Sequence, residues 1–308
     1  MASTEHAPVM LEESMALLLP AGENRQAVFV DATFGAGGHT EAILVRSRDC
    51  RVIALDADPA AVARAKDLGS RYPGRLDAVH ANYGRLDEVL EERGITEVDG
   101  IMYDLGLSSL QLADTTRGFS FSGTEPLDMR LDQTAGGPTA AQLLATTPER
   151  DLADLIETHG DERFARRIAR QIAWRRERSP FQTTSDLVAA VLSAQPKGKP
   201  RGRRGIHPAT RTFQALRIAV NDETRSLERS LKTALSRVRA GGRIVAISFH
   251  SGEDRVVKRA FRAWAAAGHG DALTRKPLTP GADEVAANPR SRSAKLRALR
   301  IAVTKQEA

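Results

Sequence analysis

Three places in this chain hold side chains whose types and spacing could do chemistry. The first is DATFGAGGHT, residues 31–40, where Asp31 leads into the glycines Gly35, Gly37 and Gly38 and His39-Thr40 closes the turn. A glycine-rich turn that opens a helix offers backbone N–H groups and a positive helix end to a small anion. The second is Asp56, in ALDADP, 21 residues after Gly35, where a carboxylate can accept hydrogen bonds from both hydroxyls of a ribose. The third is a pair of polar strand ends: Asp104 after VDGIMY, and SFHS (248–251) after GGRIVAI.

The glycine turn discriminates between ligands. A triphosphate-binding loop requires Lys-Ser/Thr after its last glycine, and here His39-Thr40 follows Gly38. A dinucleotide fingerprint starting at Gly35 and Gly37 would need its third glycine at position 40, where this chain has Thr40. An NAD-dependent oxidoreductase is therefore weakened but not removed, because Asp56 suits any ribose. The other reading of Asp56 is a helix cap before Pro59, a job that Asp58 suits better. The carboxylate of a methionine moiety fits a loop without lysine or arginine. A cationic sulfonium would favour carboxylates, which Asp31 and Asp104 supply. The residues thus point to a nucleoside-binding protein with an adenosyl ligand and leave its substrate open.

The elements that must position these groups alternate. Apolar, β-branched runs at 27–33, 51–58, 76–82 and 98–106 are separated by helical patterns, as in the βαβ units of a parallel sheet. The rhythm stops after Gly106 and resumes at GGRIVAISFH (241–250) and LRALRIAVTK (296–305), with helical sequence between. The fold expected is α/β, a doubly wound Rossmann-like sheet of residues 1–107 and 207–308, carrying an α-helical insertion domain over 108–206. Within the insertion, DERFARRIARQIAWRR predicts a helix with Phe164, Ile168 and Ile172 on one face and Arg163, Arg166, Arg167 and Arg170 on the other.

Composition sets the bounds. The chain of 308 residues is 41% apolar, with mean hydropathy −0.34, and can bury an ordinary soluble core. No apolar run approaches the roughly 18 residues of a membrane span, and the acidic N-terminus lacks the apolar stretch of a secretory signal. One cysteine, Cys50, excludes an internal disulfide, and seven scattered histidines show no metal-ligand spacing. A cytoplasmic, metal-free protein is expected. The net charge is +6, and basic residues concentrate in 163–178, 197–204 and 290–300. Such clusters suit phosphate contacts, although charge runs are more often solvated faces.

The motifs are similar to those of one family. HAPVMLEE (6–13), DATFGAGGHT (31–40), ALDADP (54–59), DLGLSSLQL (104–112), RGFSF (117–121), PLDMR (126–130), HPATRTFQALRI (207–218), GGRIVAISFHSGEDRVVKR (241–259) and NPRSRSAKLR (288–297) follow in order. The chain resembles the RsmH (MraW) family of class I S-adenosylmethionine-dependent methyltransferases, which act on N4 of a cytidine in the decoding region of small-subunit (16S) ribosomal RNA. The likeness runs nearly end to end.

That resemblance implies S-adenosylmethionine as cofactor, held by Gly37, Gly38, His39, Asp56, Tyr83, Asp104 and Gln111. It implies small-subunit rRNA as partner, naked or within the assembled subunit, and leaves monomer or homodimer open. Asp104 and His250 are the expected catalytic residues: Asp104 near the transferred methyl group, His250 with Ser251 orienting the base. The alternatives are a structural or cofactor-binding carboxylate and a hydrogen-bonded scaffold histidine. Phe119, Phe121 and Phe249 could stack on the flipped base or pack internally, and Arg217, Asn221 and Arg255 are candidate polar contacts. Three positions depart from the family: Leu110 for proline, Ala113 for aspartate and Gly252 for leucine. A competing function is a ribosome-assembly factor that binds RNA without catalysis.

Overall fold

The computed structural model describes residues 8–19, 26–121, 123–196 and 207–303. The chain divides into two compact units, Met1–Leu107 with Thr224–Ala308, and Ser108–Glu223.

The first unit opens with helix α1 (Leu11–Leu18) and then alternates: β1 (Val28–Asp31), α2 (Gly38–Arg46), β2 (Arg51–Asp56), α3 (Pro59–Arg71), β3 (Leu76–His80), α4 (Leu86–Glu91), β4 (Val98–Asp104). The second unit supplies α5 (Ser109–Ala113), α6 (Ala140–Thr146), α7 (Glu149–Gly160), α8 (Ala165–Arg176), α9 (Thr184–Ala194) and α10 (Thr210–Val220). The chain then runs through α11 (Glu223–Arg237), β5 (Val238–Ser248), α12 (Ser251–Ala266), β6 (Gly270–Ala272), α13 (Ala282–Ala287) and β7 (Lys295–Ile301).

The seven strands form one sheet in the order β3-β2-β1-β4-β5-β7-β6. Strands β1 to β5 pair in parallel, whereas β7 runs antiparallel to both β5 and β6. This is the doubly wound α/β core that the strand rhythm predicts, closed by an antiparallel edge. Parallel strands covered on both faces must be apolar throughout, and β4 is buried along nearly all of VDGIMYD. Its side chains alternate. Ile101 and Tyr103 join Val30, Ile53 and Ile244 on one face, packed with Leu227 and Leu231 of α11. Met102 joins Phe29, Val52 and Val245 on the other, packed with Met15 and Leu18 of α1. Each fully buried side chain of this size stabilises the fold by roughly 1.5–3 kcal/mol.

The strand order reverses between β1 and β4. Such a switch point opens a crevice at the carboxyl ends of the strands, and Asp31, Asp56 and Asp104 all end strands there.

Two expected boundaries shift. The strand expected to resume at Gly241 starts earlier, at Val238, and α11 stops at Arg237, because the chain runs extended through the glycines with a register shift between Val98 and Gly100 of β4. The short β6 gives no readable pattern in three residues. The expected return to the core near His207 falls inside the second unit, which extends to Glu223 because α10 packs on α7. A Cβ at Gly160 of α7 would stand 2.5 Å from the Arg211 carbonyl oxygen of α10.

Within the second unit, Ile168 and Ile172 of α8 are fully buried and Arg163, Arg166, Arg167 and Arg170 are exposed, as the periodicity predicts. Phe164 behaves differently. It is half-buried and precedes the helix, with the guanidinium of Arg163 over its ring at 4.6 Å and that of Arg167 at 5.9 Å. The basic segment 197–204 lies outside the described residues. The third basic segment is mostly β7: Arg297 is buried, donating to Asp254 at 2.7 Å, and Arg300 pairs with Asp271. Arg297 therefore holds the fold and is taken from any phosphate-contacting surface, whereas Arg300 stays exposed.

Candidate active site

The glycine turn is built around Asp31. This buried carboxylate accepts the Thr33 N–H at 3.1 Å and the Thr40 hydroxyl at 2.6 Å, so it ties the start of the turn to the first turn of α2. Gly35 and Gly37 have φ of +56° and +89°, conformations that glycine adopts without a Cβ clash. At Gly37 a Cβ would also lie 2.6 Å from the Phe34 ring. The turn thus delivers the first N–H groups of α2, which have no intrahelical partners, toward the crevice.

Asp104 ends β4 beside this turn. Its backbone N–H donates to Thr33 Oγ1 at 2.6 Å, which fixes the two strand ends together. Its Oδ2 stands 3.5 Å from Nδ1 of His39, and its Oδ1 is buried with no hydrogen-bond partner among the described residues. Burial, reinforced by the nearby charges of Asp31 and Glu253, pushes the Asp104 carboxyl up to about 8. Burial also lifts Asp31 to about 6 and drops His39 to about 4, so His39 is neutral. Its Nε2 lies 3.2 Å from the Val9 carbonyl, which only accepts. The ring proton therefore sits on Nε2, and Nδ1 faces Asp104 as an acceptor.

Asp56, at the end of β2, accepts the Gly35 N–H on Oδ2 at 2.8 Å and the Asp58 N–H on Oδ1 at 2.9 Å. Each oxygen retains a second lone pair for a further donor. Its carboxyl is raised to about 6, chiefly by burial. The helix cap is Asp58, which accepts the Ala60 N–H ahead of Pro59. From α3, Arg64 donates to the Gly35 carbonyl at 3.1 Å and braces the turn from below. Tyr83 is half-buried, its ring edge-on to Tyr103 at 6.4 Å.

At the end of β5, His250 caps α12. Its Nδ1 accepts the N–H groups of Gly252 at 3.2 Å and Glu253 at 3.4 Å, while Glu253 Oε2 accepts the Phe249 N–H at 2.8 Å. The His250 Nε2 lies 3.0 Å from Glu253 Oε1 but too far off line for a hydrogen bond. His250 thus occupies the scaffold position that was its alternative reading. A Cβ at Gly252 would stand 3.0 Å from His250 Nδ1, so the absent leucine leaves room beside the imidazole. Phe249 packs against the apolar face that holds Met102 and Ile247, and Ser251 and Arg255 are exposed.

In the second unit, Gln111 is buried and its Oε1 accepts the Ser108 N–H in a capping box on α5. Leu110 beside it is exposed. Phe119 is buried, and Phe121 stacks on His207 at 4.6 Å and meets Phe213 edge-on at 5.6 Å. Arg217 forms a two-pronged ion pair with Glu223, both bonds at 2.8 Å. Asn221 donates to the carbonyls of Met129 and Arg217 and accepts the Leu131 N–H. Both residues hold the loop and helix together, a role that chain position alone did not disclose.

Sequence reasoning missed Thr33, Arg64 and Glu253. Thr33 and Glu253 lie within the quoted motifs, and their contacts depend on strand ends meeting in space. Arg64 carries no signal, being one arginine on a helix. It also missed why RGFSF and PLDMR occur together: a Cβ at Gly118 would lie 2.1 Å from the Pro126 carbonyl oxygen, and Met129 donates to the Arg117 carbonyl.

The first unit therefore brings Gly37, Gly38, His39, Asp56 and Asp104 to one crevice. They fit S-adenosylmethionine: a cradle that a Cβ at Gly37 would disrupt, free lone pairs on Asp56, and a buried, partnerless oxygen on Asp104 within a cluster of carboxylates.

Comparison with known proteins agrees. The model of the MraW methylase family matches residues 3–302. Ribosomal RNA small subunit methyltransferase H of Thermomicrobium roseum is 49% identical, over 96% of this chain and 93% of that protein. The protein of the same name from Acidiphilium cryptum is 46% identical, over 96% of each. Among solved structures, a rRNA methylase from Streptococcus thermophilus aligns over 90% of this chain and 88% of its own at 11% identity and a TM-score of 0.41, too low to argue from. On the family match and these identities, the chain belongs to the MraW methylase family of S-adenosylmethionine-dependent methyltransferases.

Proposed function

We propose that this protein transfers a methyl group from S-adenosylmethionine to N4 of a cytidine in the decoding region of small-subunit rRNA, acting in the cytoplasm. The observation that carries the proposal is the convergence of the glycine turn, Asp56 and the partnerless Asp104 oxygen at the switch point of the sheet. Relatives named as small-subunit rRNA methyltransferases, at up to 49% identity over nearly the whole chain, support the substrate.

When bound, the cofactor supplies an electrophilic methyl group on a cationic sulfonium. Gly37, Gly38 and His39 present the start of α2 to its carboxylate, and Asp56 accepts hydrogen bonds from its ribose. Tyr83 flanks the adenine. Cytidine N4 is a poor nucleophile because its lone pair is delocalised into the ring, so positioning supplies most of the acceleration. Asp104 Oδ1 orients the amine and takes its proton, with a carboxyl poised near neutral pH for that exchange. His39 holds the other oxygen in place. Because His250 Nδ1 is committed to the helix cap, its part is to fix the strand end from which Phe249 and Ser251 meet the base.

The second unit, residues 108–223, is the substrate-recognition domain in this reading, with Phe119, Arg217 and Asn221 bracing it from within, Phe121 stacked beside His207, and Arg255 of α12 a further candidate contact. The target base must leave its stack to be methylated. Incubating unmethylated small subunits with the protein and methyl-labelled cofactor tests the reading. Label is expected in the rRNA; label confined to ribosomal protein would refute it.

A further inference from the structure

We propose that Trp174, backed by Arg178, is a stacking platform for an unpaired base of single-stranded RNA, at one end of an arginine stripe along α8. The idea rests on the rRNA reading above and assigns a specific part of the second unit to it.

Trp174 is 51% exposed, an unusual state for the largest apolar side chain. The Arg178 guanidinium lies 3.9 Å from its ring centroid, and Arg178 is anchored by donating to the Trp174 carbonyl at 2.7 Å. One face of the indole is thus covered by a cation that itself stacks on bases, and much of the ring stays open to solvent. At 100° per residue, Arg166, Arg167, Arg170 and Trp174 of α8 fall on one side of the helix, with Arg163 just before its start and Arg178 just past its end. All six are exposed. The opposite side is closed: Ile168, Ala169 and Ile172 are fully buried.

Charge selects the occupant. The sequence of α8, ARRIARQIAWRR, contains no acidic residue. Asp161 and the buried Glu162 precede Arg163, Glu149 approaches Arg170 at 3.8 Å, and Glu177 follows the helix, which leaves cations in excess along the stripe. An interface with another protein copy would bring like charges together along the stripe, whereas a nucleic acid meets it with phosphates. From Arg166 to Trp174 the helix rises about 12 Å, so phosphate contacts and the stacked base lie within one short stretch of strand. Non-sequence-specific binding of single strands combines these two elements, a basic track and aromatic stacking.

The chain has two tryptophans, and Trp264 is half-buried against Phe261. A Trp264→Phe variant therefore makes Trp174 the sole indole reporter. Titrating it with a short single-stranded oligoribonucleotide should quench Trp174 fluorescence, whereas heparin, a polyanion without bases, should bind without quenching. Trp174→Ala should weaken oligoribonucleotide binding about five- to a hundredfold with its salt dependence unchanged, and Trp174→Phe should restore most of it. Arg166→Ala with Arg170→Ala should instead lower the salt slope by about 1.4.

Equal quenching by heparin, or unchanged affinity in Trp174→Ala, overturns the platform. A dimeric protein that Trp174→Ala renders monomeric, with RNA affinity intact, also overturns it and marks a protein interface. If the oligoribonucleotide results hold while no methyl group reaches rRNA, the platform stands and the methyltransferase substrate is wrong.

Discussion

His39 Nδ1 and Asp104 Oδ2 lie 3.5 Å apart, and the Val9 carbonyl leaves that nitrogen without a proton. A bare nitrogen therefore faces a carboxyl that burial holds protonated until about pH 8. In the proposed binding mode, this neutral acid lies where the sulfonium would bring its positive charge.

The consequence is a pH dependence of cofactor binding. A cation favours the ionised carboxyl, so binding S-adenosylmethionine releases a proton from Asp104 wherever the free group is still protonated. Affinity should rise as pH rises toward about 8 and level off above it. S-adenosylhomocysteine, a neutral thioether, should show no such rise, and the ratio of the two affinities should become independent of pH in Asp104→Asn. Calorimetric titration at several pH values measures this directly. Parallel curves for the two ligands in the wild type would count against it.

Asp104 should also matter for turnover. Removing a positioned proton acceptor typically costs about 10²–10⁴-fold in rate. Asp104→Asn should lose turnover within that range while retaining S-adenosylhomocysteine affinity within a few-fold. Wild-type turnover with normal cofactor binding would assign the carboxylate a purely structural role.

Asp56 performs two tasks, since both its oxygens already hold the N–H groups of Gly35 and Asp58. Asp56→Ala removes these bonds and the proposed ribose contact together, each bond to a charged group being worth about 1.5–3 kcal/mol. Cofactor affinity should fall by more than about tenfold, with a lowered melting temperature. Arg64→Ala, which loosens only the Gly35 carbonyl, should weaken binding less. The reverse ranking would show that the turn needs bracing more than the ribose needs a carboxylate.

The EDR and AKLR motifs meet in a buried ion pair. Asp254 accepts from Arg297 at 2.7 Å and Lys295 at 3.2 Å, and hydrogen bonds from these cations hold its pKa below the usual carboxylate value despite burial. A depressed carboxyl stabilises the fold above its unfolded pKa of about 3.9, and that contribution is lost as pH falls through the folded value. Asp254→Ala leaves Arg297 buried without its partner and should cost about 3–5 kcal/mol. The cost should be read in chemical denaturation at pH 7 and shrink in acid below pH 4. A constant cost across that range would contradict the pairing.

Much of this was legible in the sequence. Continuous apolar, β-branched runs separated by helical patterns gave four strands of the core, because parallel strands covered on both faces carry that pattern. The glycine turn, Asp56 and Asp104 were legible because strand ends in such a sheet open on one crevice. What stayed hidden depends on distance in space. Arg217 and Asn221 look like free polar residues along α10, yet Glu223 and the Met129–Leu131 backbone occupy them. The basic character of 290–300 suggested a phosphate surface, whereas strand pairing turns Arg297 inward onto Asp254. The end of the inserted unit was misplaced because α10 is amphipathic, and its pattern does not say which unit its apolar face covers.

The central claim is the identity of the methylated atom. The direct measurement is to treat unmethylated small ribosomal subunits with the protein and isotope-labelled S-adenosylmethionine, digest the rRNA to nucleosides and locate the label by mass spectrometry. Labelled N4-methylcytidine is expected at a single position, abolished or strongly reduced by Asp104→Asn. Label on a carbon or ring nitrogen of any base, or none on cytidine, would contradict it.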